Sequence, residues 1–240
     1  MVFLGDMKMK SLIEITGEIS QIFKTNWSIR NGEKVPEPQD IKLGNDAVKL
    51  NATVLYADLK DSTKMVNQYK HWFSAEVYKS YLKACCEIIK NNDGVITSFD
   101  GDRVMAVYIG GRKNTNAVKT ALQINYFVLK VINPKIKERY PDTDIEIKQV
   151  VGIDTSELFV ARTGIRGDND LVWVGNAANM AAKMCAIRDS GISTYISEEI
   201  YKNISDEAKF DNNGKNMWLT YHWTEYSKNI YCSSYYWKFE

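Results

Sequence analysis

Histidine and cysteine are scarce in this chain of 240 residues, which has two histidines and four cysteines. His71 and His222 stand apart from any serine or cysteine nucleophile motif, which argues against a histidine-dependent triad and a histidine-rich zinc site. The cysteines show no Cys-x-x-Cys spacing, so we interpret them as reduced thiols of a cytoplasmic protein: Cys85, Cys86, Cys185 and Cys232.

The chain also lacks a charge excess and a long apolar run. Its formal net charge is +1 and it has no dense Lys/Arg cluster, so the sequence does not predict nucleic-acid binding. No apolar run approaches the ~20 residues that a membrane helix needs. The stretch from Met1 to Leu4 is too short for a signal-peptide core. We therefore expect a cytoplasmic protein that binds neither nucleic acid nor membrane.

What is present is the composition of a globular protein, with 45% apolar and 25% charged residues. Residues 9–27 have apolar side chains near helical spacing, and Asn31 to Pro38 interrupts the pattern. We predict an N-terminal helix and linker at residues 1–47, followed by one domain at residues 48–240. The helix is expected to pack on this domain or on a second subunit.

Periodicity in the larger domain predicts alternating strands and helices. Strands are expected at 53–56, within a hairpin at 94–110, and at 145–153, 157–163 and 171–174; helices are expected at 61–70, 74–91, 117–132, 175–187 and 198–204. The third helix is predicted to end near Asn133-Pro134. The aromatic C-terminal tail is predicted to form strands whose aromatic side chains lie in the core or in a dimer contact. The order βααββαβ predicts a ferredoxin-like α+β sheet.

Two stretches place carboxylates at the ends of predicted strands. Thr53 to Tyr56 reads as a buried strand that leads to a carboxylate, Asp58, and then to three residue types that start helices, Asp61, Ser62 and Thr63. Asp100-Gly101 predicts a two-residue turn, which places Asp102 at the start of the next strand. Two carboxylates bind a hard dication and a helix start attracts phosphate, so the sequence predicts a metal–nucleoside triphosphate site.

A third motif, Gly175-Asn-Ala-Ala-Asn179-Met-Ala-Ala-Lys183, completes a resemblance to class III nucleotidyl cyclases over residues 50–205. Tyr-Ala-Asp58-Leu-Lys-Asp-Ser-Thr63 is similar to the Phe-Ala-Asp-Ile-x-Gly-Phe-Thr block of that family. Gly152-Ile-Asp-Thr155 resembles its Gly-Ile-His-Thr/Ser segment. The resemblance implies the ferredoxin-like fold for the domain at 48–240, and a homodimer with active sites at the subunit interface.

More narrowly, three segments are similar to the pyrimidine cyclases of the bacterial Pycsar antiphage systems: Tyr56 to Leu59, Phe99 to Val107 and Ala161 to Gly167. This resemblance implies conversion of UTP or CTP to 3′,5′-cyclic UMP or cyclic CMP and pyrophosphate. The product would act on a separate effector in antiphage defence.

The resemblance also implies roles for individual residues. Asp58, Asp102 and the Leu59 carbonyl would hold two Mg²⁺ or Mn²⁺ ions per site, which clamp the attacking and leaving oxygens. The helix start formed by Asp61, Ser62 and Thr63 would bind the β- and γ-phosphates. Asn179 would orient the ribose, and Lys183 stands where the family has an arginine that stabilises charge on the α-phosphate. Because they are four residues apart, Asn179 and Lys183 share a helix face, and they would reach the site from the other subunit.

The base pocket is where the sequence departs from the purine cyclases. Ser98 and Val172 occupy the positions at which purine cyclases carry their base-reading side chains, so neither purine code is present. Tyr56 replaces a phenylalanine and adds bulk and a hydrogen-bonding hydroxyl, which favours a pyrimidine. Arg103 is a further candidate for the base or the triphosphate, although strand alternation predicts that it points away from Asp102.

One family feature is missing, because residues 210–223 contain no Val-Lys-Gly-Lys-Gly segment to hold the β- and γ-phosphates, and Lys215 is only a weak substitute. Two alternatives stay open: a purine (adenylate) cyclase and a non-catalytic nucleotide-sensing module. A haloacid-dehalogenase-type phosphatase is not supported, since it needs a second aspartate where this chain has Lys60.

Overall fold

The computed structural model describes residues 10–239, so the prediction about Met1 to Leu4 lies outside the described residues. The helices in the described part are α1 Leu12–Lys24, α2 Ser62–Gln68, α3 His71–Asn91, α4 Lys113–Phe127, α5 Asn133–Arg139, α6 Asn176–Cys185, α7 Glu198–Asn203 and α8 Asp206–Lys209. The strands are β1 Ser28–Asn31, β2 Asp46–Leu59, β3 Val95–Asp100, β4 Arg103–Tyr108, β5 Gln149–Ile165, β6 Asp168–Val174, β7 Thr194–Ser197, β8 Leu219–Trp223 and β9 Lys228–Ser233.

The strands form one sheet in the order β3-β4-β2-β5-β7-β9-β8, and β1 and β6 pair with β2 and β5 respectively. The pairs β3–β4, β4–β2 and β2–β5 are antiparallel, which is the strand arrangement of a ferredoxin-like sheet. Two helices follow β2, a hairpin comes next, and a helical segment leads into β5. The predicted α+β fold is therefore confirmed.

Helices cover the two faces of this sheet unequally. Leu55 and Ala57 of β2 point to one face, where they pack with Tyr81 of α3 and Leu122 of α4 in the larger core cluster. Side chains of the opposite face pack with α6. Since side chains alternate along a strand, the residues between those of the larger core point to the α6 side.

Gly152 of β5 allows α6 to approach the sheet closely. A Cβ at this position would lie 2.2 Å from the Ala181 carbonyl oxygen and 2.5 Å from the Cys185 nitrogen. Only a residue without a side chain leaves room for this backbone contact. The glycine of the Gly-Ile-Asp-Thr motif therefore has a structural role, because its lack of a side chain allows the short distance between α6 and the sheet.

The strands are longer than the sequence pattern predicted. β2 begins at Asp46 instead of Thr53, and the two strands predicted at 145–153 and 157–163 are one strand, β5. The prediction failed because each long strand pairs with different neighbours along its length. β5 pairs with β7 near Gly152 and with β6 from Phe159 onwards, so its burial pattern changes midway.

The helix predicted to stop near Asn133-Pro134 instead continues. A π-helical turn at Val128–Ile132 follows α4, and Pro134 lies in the first turn of α5, where its missing N–H is tolerated. The Asn133 amide group exchanges hydrogen bonds with both main-chain groups of Ile147, at 2.9 and 3.0 Å. This contact fixes the segment before β5, which the sequence had predicted as strand from residue 145.

Part of the segment predicted as helix and linker belongs to the sheet. β1 pairs with the first residues of β2 in parallel, and residue 48, the predicted boundary, lies inside β2. The amide of Asn45 donates to the carbonyls of Ile22 and Thr25 and so anchors the end of α1. α1 itself has no buried residue. Whether residues 1–47 form a separate unit stays a prediction.

The C-terminal aromatic tail contributes β8 and β9, as predicted, and Trp218 and Trp223 lie in the core. None of the helices between residues 10 and 239 combines the length and apolar character needed to cross a membrane.

Candidate active site

Asp58 lies near the end of β2 on the face that α6 covers incompletely. Its neighbours Ala57 and Leu59 point to the larger core, so alternation turns the Asp58 side chain to the opposite face. The carboxylate is 17% exposed and accepts a hydrogen bond from Arg188 at 3.0 Å. Burial raises the pKa of Asp58, and the neighbouring carboxylate of Asp102 raises it further, whereas Arg188 opposes both effects. The structure thus brings the two predicted carboxylates together.

Asp102 reaches this position from the hairpin turn rather than from a strand. Asp100 pairs with Arg103, so the turn residues are Gly101 and Asp102, one position later than predicted. Gly101 has a φ of +61°, which glycine adopts without strain. β3 also has a register irregularity between Ile96 and Ser98, which sequence alternation does not reveal.

These two carboxylates fit a divalent cation. Asp102 Oδ2 is buried and has no hydrogen-bond partner in the described part of the chain, which is costly unless a cation binds there. Leu59 ends β2 and buries its side chain, so only its main chain would be available to an ion. No group of three or more His, Cys, Asp or Glu side chains that could hold a metal is found among residues 10–239. The donor set is therefore two carboxylates plus main-chain oxygen, which suits a hard cation.

The three residues predicted to bind phosphate lie next to Asp58, at the start of α2. Asp61 is the residue before the helix, has a left-handed backbone with φ +56°, and makes no side-chain capping bond. Ser62 and Thr63 open the helix. Together with Leu59 and Arg188, these residues line an open cleft of about 590 Å³. The cleft is large enough for a polyphosphate group.

Tyr78 of α3 is a site neighbour that the sequence analysis missed. Burial raises the pKa of its phenol, a hydrogen bond with the Ser62 side chain lowers it, and the charges of Asp102 and Asp58 raise it again. The phenol therefore lies close enough to both carboxylates and to the start of α2 for them to affect its pKa. Nothing distinguishes Tyr78 from the other aromatic residues of an amphipathic helix, so the sequence carries no signal for it.

Three of the four predicted base-pocket residues lie together. Tyr56 is opposite Met105 in β4, and Met105 is opposite Ser98 in β3, so Tyr56 and Ser98 lie on one row of the sheet. The Arg103 guanidinium lies 5.5 Å from the centre of the Tyr56 ring and donates to Asp100 at 2.6 Å. Arg103 was predicted to point away from the site. It shares the face of Tyr56 because Asp102 is a turn residue and β4 begins at Arg103.

Val172 is separate from this row within one chain. It pairs with Ala161 of β5, whereas Tyr56 pairs with Gly152. At roughly 3.3 Å per residue, nine residues along one strand correspond to about 30 Å. The Val172 side chain is 40% exposed. The structure therefore does not place Val172 in the base pocket of its own chain.

Asn179 and Lys183 lie on the exposed face of α6, as their spacing of four residues predicts. The other face of α6 is buried and includes Ala177, Ala181 and Met184. Within the chain, the Lys183 ammonium lies 4.5 Å from the centre of the Tyr226 ring. Both side chains thus face away from the sheet that carries Asp58.

Arg188 and Lys60 were also missed, and they tie the chain after α6 to the end of β2. The Lys60 ammonium donates to the carbonyls of Asp189 and Ile192, both at 2.7 Å. Burial lowers the pKa of Lys60, and Arg188 lowers it further. Arg188 donates to the Cys185 carbonyl at 2.7 Å and to Asp58. Lys60 is visible in the sequence only as the residue that excludes a phosphatase motif.

Lys215, the substitute considered for the missing phosphate-binding lysine, lies elsewhere. It follows α8 in a turn, where its main-chain nitrogen donates to Asp211 at 3.0 Å. It does not line the cleft next to Asp58.

Comparison with known proteins gives relatives that match most of the chain. The uridylate cyclase of Xanthomonas perforans is 47% identical over 229 residues, which are 95% of this chain and 98% of that protein. The uridylate cyclase of Burkholderia cepacia is 45% identical over 221 residues, or 91% and 95% of the two chains. No family model matches.

Among solved structures, the adenylyl cyclase CyaB from P. aeruginosa superposes with a TM-score of 0.64. The match covers 78% of this chain and 95% of that one, with 20% sequence identity. At this identity the likeness concerns the fold alone.

Proposed function

Because this chain belongs to the uridylate cyclase family of nucleotide cyclases, we propose that it converts UTP to 3′,5′-cyclic UMP and pyrophosphate, with CTP and cyclic CMP as the alternative substrate and product. The observation that carries the proposal is the common face of the sheet on which Tyr56 and Arg103 lie beside Asp58 and Asp102. A base-binding surface therefore adjoins a carboxylate pair.

The reaction is an intramolecular phosphoryl transfer in which the ribose 3′-oxygen attacks the α-phosphorus and pyrophosphate leaves. Mg²⁺ or Mn²⁺ ions, two per active site, would supply charge stabilisation for the attacking and leaving oxygens. Asp58 and Asp102 would hold them, together with the Leu59 carbonyl. The unpartnered oxygen of Asp102 supports this assignment, and so does the pKa of Asp58, which burial raises and the Asp102 carboxylate raises further.

The substrate phosphates would lie in the cleft beside Asp61, Ser62 and Thr63. Main-chain N–H groups and the Thr63 hydroxyl would bind them, while the Asp61 carboxylate contributes least because it adds negative charge.

Tyr56 and Arg103 would select the base. The Tyr56 hydroxyl is a hydrogen-bond donor near neutral pH, and burial raises the pKa of the phenol above its ordinary value. Arg103 stacks on the ring and holds it in place. Their combined bulk would narrow the base pocket, which supports a pyrimidine substrate.

Two chains would form each site. Asn179 and Lys183 face away from Asp58 in their own chain, so a homodimer would bring them to the carboxylates of the partner subunit. Asn179 would then orient the ribose and Lys183 would stabilise charge on the α-phosphate. In the same homodimer, Val172 would reach the base pocket of the partner subunit.

The test is to incubate the purified full chain with each of the four NTPs and Mn²⁺ and to identify the products by mass. Cyclic UMP or cyclic CMP as the main product supports the proposal. Cyclic AMP as the main product would instead support the alternative purine cyclase, and binding without any product would support a nucleotide-sensing module.

The similarity to the Pycsar cyclases further supports a role in antiphage defence, in which the cyclic nucleotide acts on a separate effector. Bacteria that carry the chain together with an effector that responds to the cyclic nucleotide should resist phage, and the Asp58→Asn variant should remove that resistance. Equal resistance with both versions would show that the cyclase activity is not used for defence.

A further inference from the structure

We infer that Arg188 is the cationic side chain that binds the β- and γ-phosphates of the substrate beside the start of α2, the role that the absent C-terminal lysine segment leaves unfilled. This inference rests on the proposed function, because it assigns a part of the same site. It starts from the cleft beside Asp58, which Arg188 lines together with Ser62 and Thr63.

The guanidinium is held where it can bind an anion. Its Nη2 atom donates to Asp58 at 3.0 Å and its Nη1 atom to the Cys185 carbonyl at 2.7 Å. The side chain is 43% exposed, so part of the group faces the cleft. A guanidinium presents several N–H donors in one plane, and this geometry suits phosphate oxygens better than the single ammonium of a lysine does.

The backbone on which Arg188 sits is tied to the metal-binding strand. Lys60 follows Leu59 directly, and its ammonium holds the carbonyls of Asp189 and Ile192. Two bonds of 2.7 Å to main-chain oxygens fix the segment after α6 against the end of β2. The tether keeps Arg188 at the cleft even when its side chain leaves Asp58.

Charge explains why the side chain would leave Asp58 as the substrate complex forms. A cation on Asp58 removes the negative charge that attracts Arg188 and repels the guanidinium, and the triphosphate brings new negative charge into the adjoining cleft. The contact with Asp58 and the contact with phosphate are therefore alternatives for one side chain, and Arg188 competes with the metal for Asp58.

The experiment measures binding of inorganic tripolyphosphate and of UMP to the full chain in the presence of Mn²⁺ by calorimetry. Arg188→Gln should weaken tripolyphosphate binding about 10- to 100-fold, the loss expected for a charge-assisted contact. Arg188→Lys should lose less, because the charge remains. UMP, which has no β- or γ-phosphate, should bind all variants equally.

Arg112→Gln is the matched control. Arg112 is paired with Glu207 and does not line the cleft, so this variant should leave both affinities unchanged.

A second readout is the binding of Mn²⁺ alone. Arg188→Gln should bind Mn²⁺ more tightly than the unmodified chain, since Asp58 no longer has a competing cation. Weaker Mn²⁺ binding in this variant would overturn the competition.

Three results would overturn the role in phosphate binding: equal tripolyphosphate affinity in Arg188→Gln and the unmodified chain, no tripolyphosphate binding by the unmodified chain, or an equal loss for UMP. None of these results depends on turnover. Failure of the inference is therefore distinguishable from failure of the proposed cyclisation, which the product analysis tests.

Discussion

The Asp58 carboxylate lies near that of Asp102, and its ionised form destabilises the folded chain. Burial raises the pKa of Asp58, and the Asp102 carboxylate raises it further. Two like charges held close together favour protonation of one of them. Groups that destabilise the folded chain in this way are common at functional sites, where a ligand supplies the missing charge. The pair therefore connects stability with metal binding.

Asp58→Asn should abolish cyclisation and stabilise the metal-free protein. An aspartate with a raised folded-state pKa destabilises the fold at pH values above that pKa, and the cost disappears as the pH falls from the raised value to the ordinary value of 3.8. The variant should therefore melt at a higher temperature than the unmodified chain at pH 7, and the difference should shrink as the pH approaches 4. Thermal melts without divalent ions, from pH 4 to 8, measure this.

The control for that experiment is Asp142→Asn, which changes an exposed carboxylate in the loop between α5 and β5 and should leave activity and melting unchanged. Addition of Mn²⁺ should raise the melting temperature of the unmodified chain but not that of Asp58→Asn, because only a binding-competent fold gains stability from the ion. Near-normal turnover by Asp58→Asn would refute its role as a metal ligand.

Gly152→Ala should lower both stability and activity. The added methyl group would overlap the backbone of α6 at Ala181 and Cys185, so the helix must move away from β5. Overpacking of this kind typically costs about 1–3 kcal/mol of unfolding free energy. Because α6 carries Asn179 and Lys183, kcat should also fall.

Gly111→Ala is the matched control for Gly152→Ala, since nothing lies within 4 Å of the position where its Cβ would be. Chemical unfolding and steady-state kinetics on both variants separate crowding from the loss of a glycine. A Gly152→Ala protein as stable and as active as Gly111→Ala would mean that α6 is not fixed by this contact.

The sequence predicted the ferredoxin-like order and the convergence of Asp58 with Asp102, because strand ends and turn residues have local signals. It placed the hairpin turn one residue early, because an Asp-Gly pair signals a turn but the pairing of β3 with β4 decides which two residues form it. It missed Tyr78, Lys60 and Arg188 for a related reason. Each of them acts through contacts between segments distant along the chain, and no local pattern encodes such contacts.

Mixing two inactive variants should restore activity if each site is shared between subunits. Asp58→Ala removes a carboxylate from one chain, and Lys183→Ala removes the cation that the other chain would provide. A heterodimer of the two variants contains one complete site, so up to about half of the activity per dimer should return, as the symmetry of a two-fold dimer requires. Activity is measured after co-refolding or subunit exchange.

The control is a mixture of Asp58→Ala with Asp102→Ala, which both damage the same side of the site and should remain inactive. If the Asp58→Ala and Lys183→Ala chains form heterodimers that stay inactive, the shared site is wrong or Lys183 has no part in the reaction. Lys183 would then have a structural role only, through its contact with the Tyr226 ring.

The base preference should depend on Tyr56 in a way that separates bulk from hydrogen bonding. Tyr56→Phe keeps the ring on which Arg103 stacks and removes the hydroxyl, whereas Tyr56→Ala removes both. Steric exclusion alone usually gives ~10²-fold discrimination, while an unpaired polar partner gives ~10⁴-fold or more. The unmodified chain should cyclise UTP or CTP with little product from ATP or GTP. If bulk excludes purines, only Tyr56→Ala should gain ATP cyclisation; if the hydroxyl reads the base, Tyr56→Phe should already lose most of its preference. The kcat/KM ratio for UTP over ATP measures both effects. A ratio below one in the unmodified chain would refute the pyrimidine assignment and leave the cyclase fold and the carboxylate pair as they are.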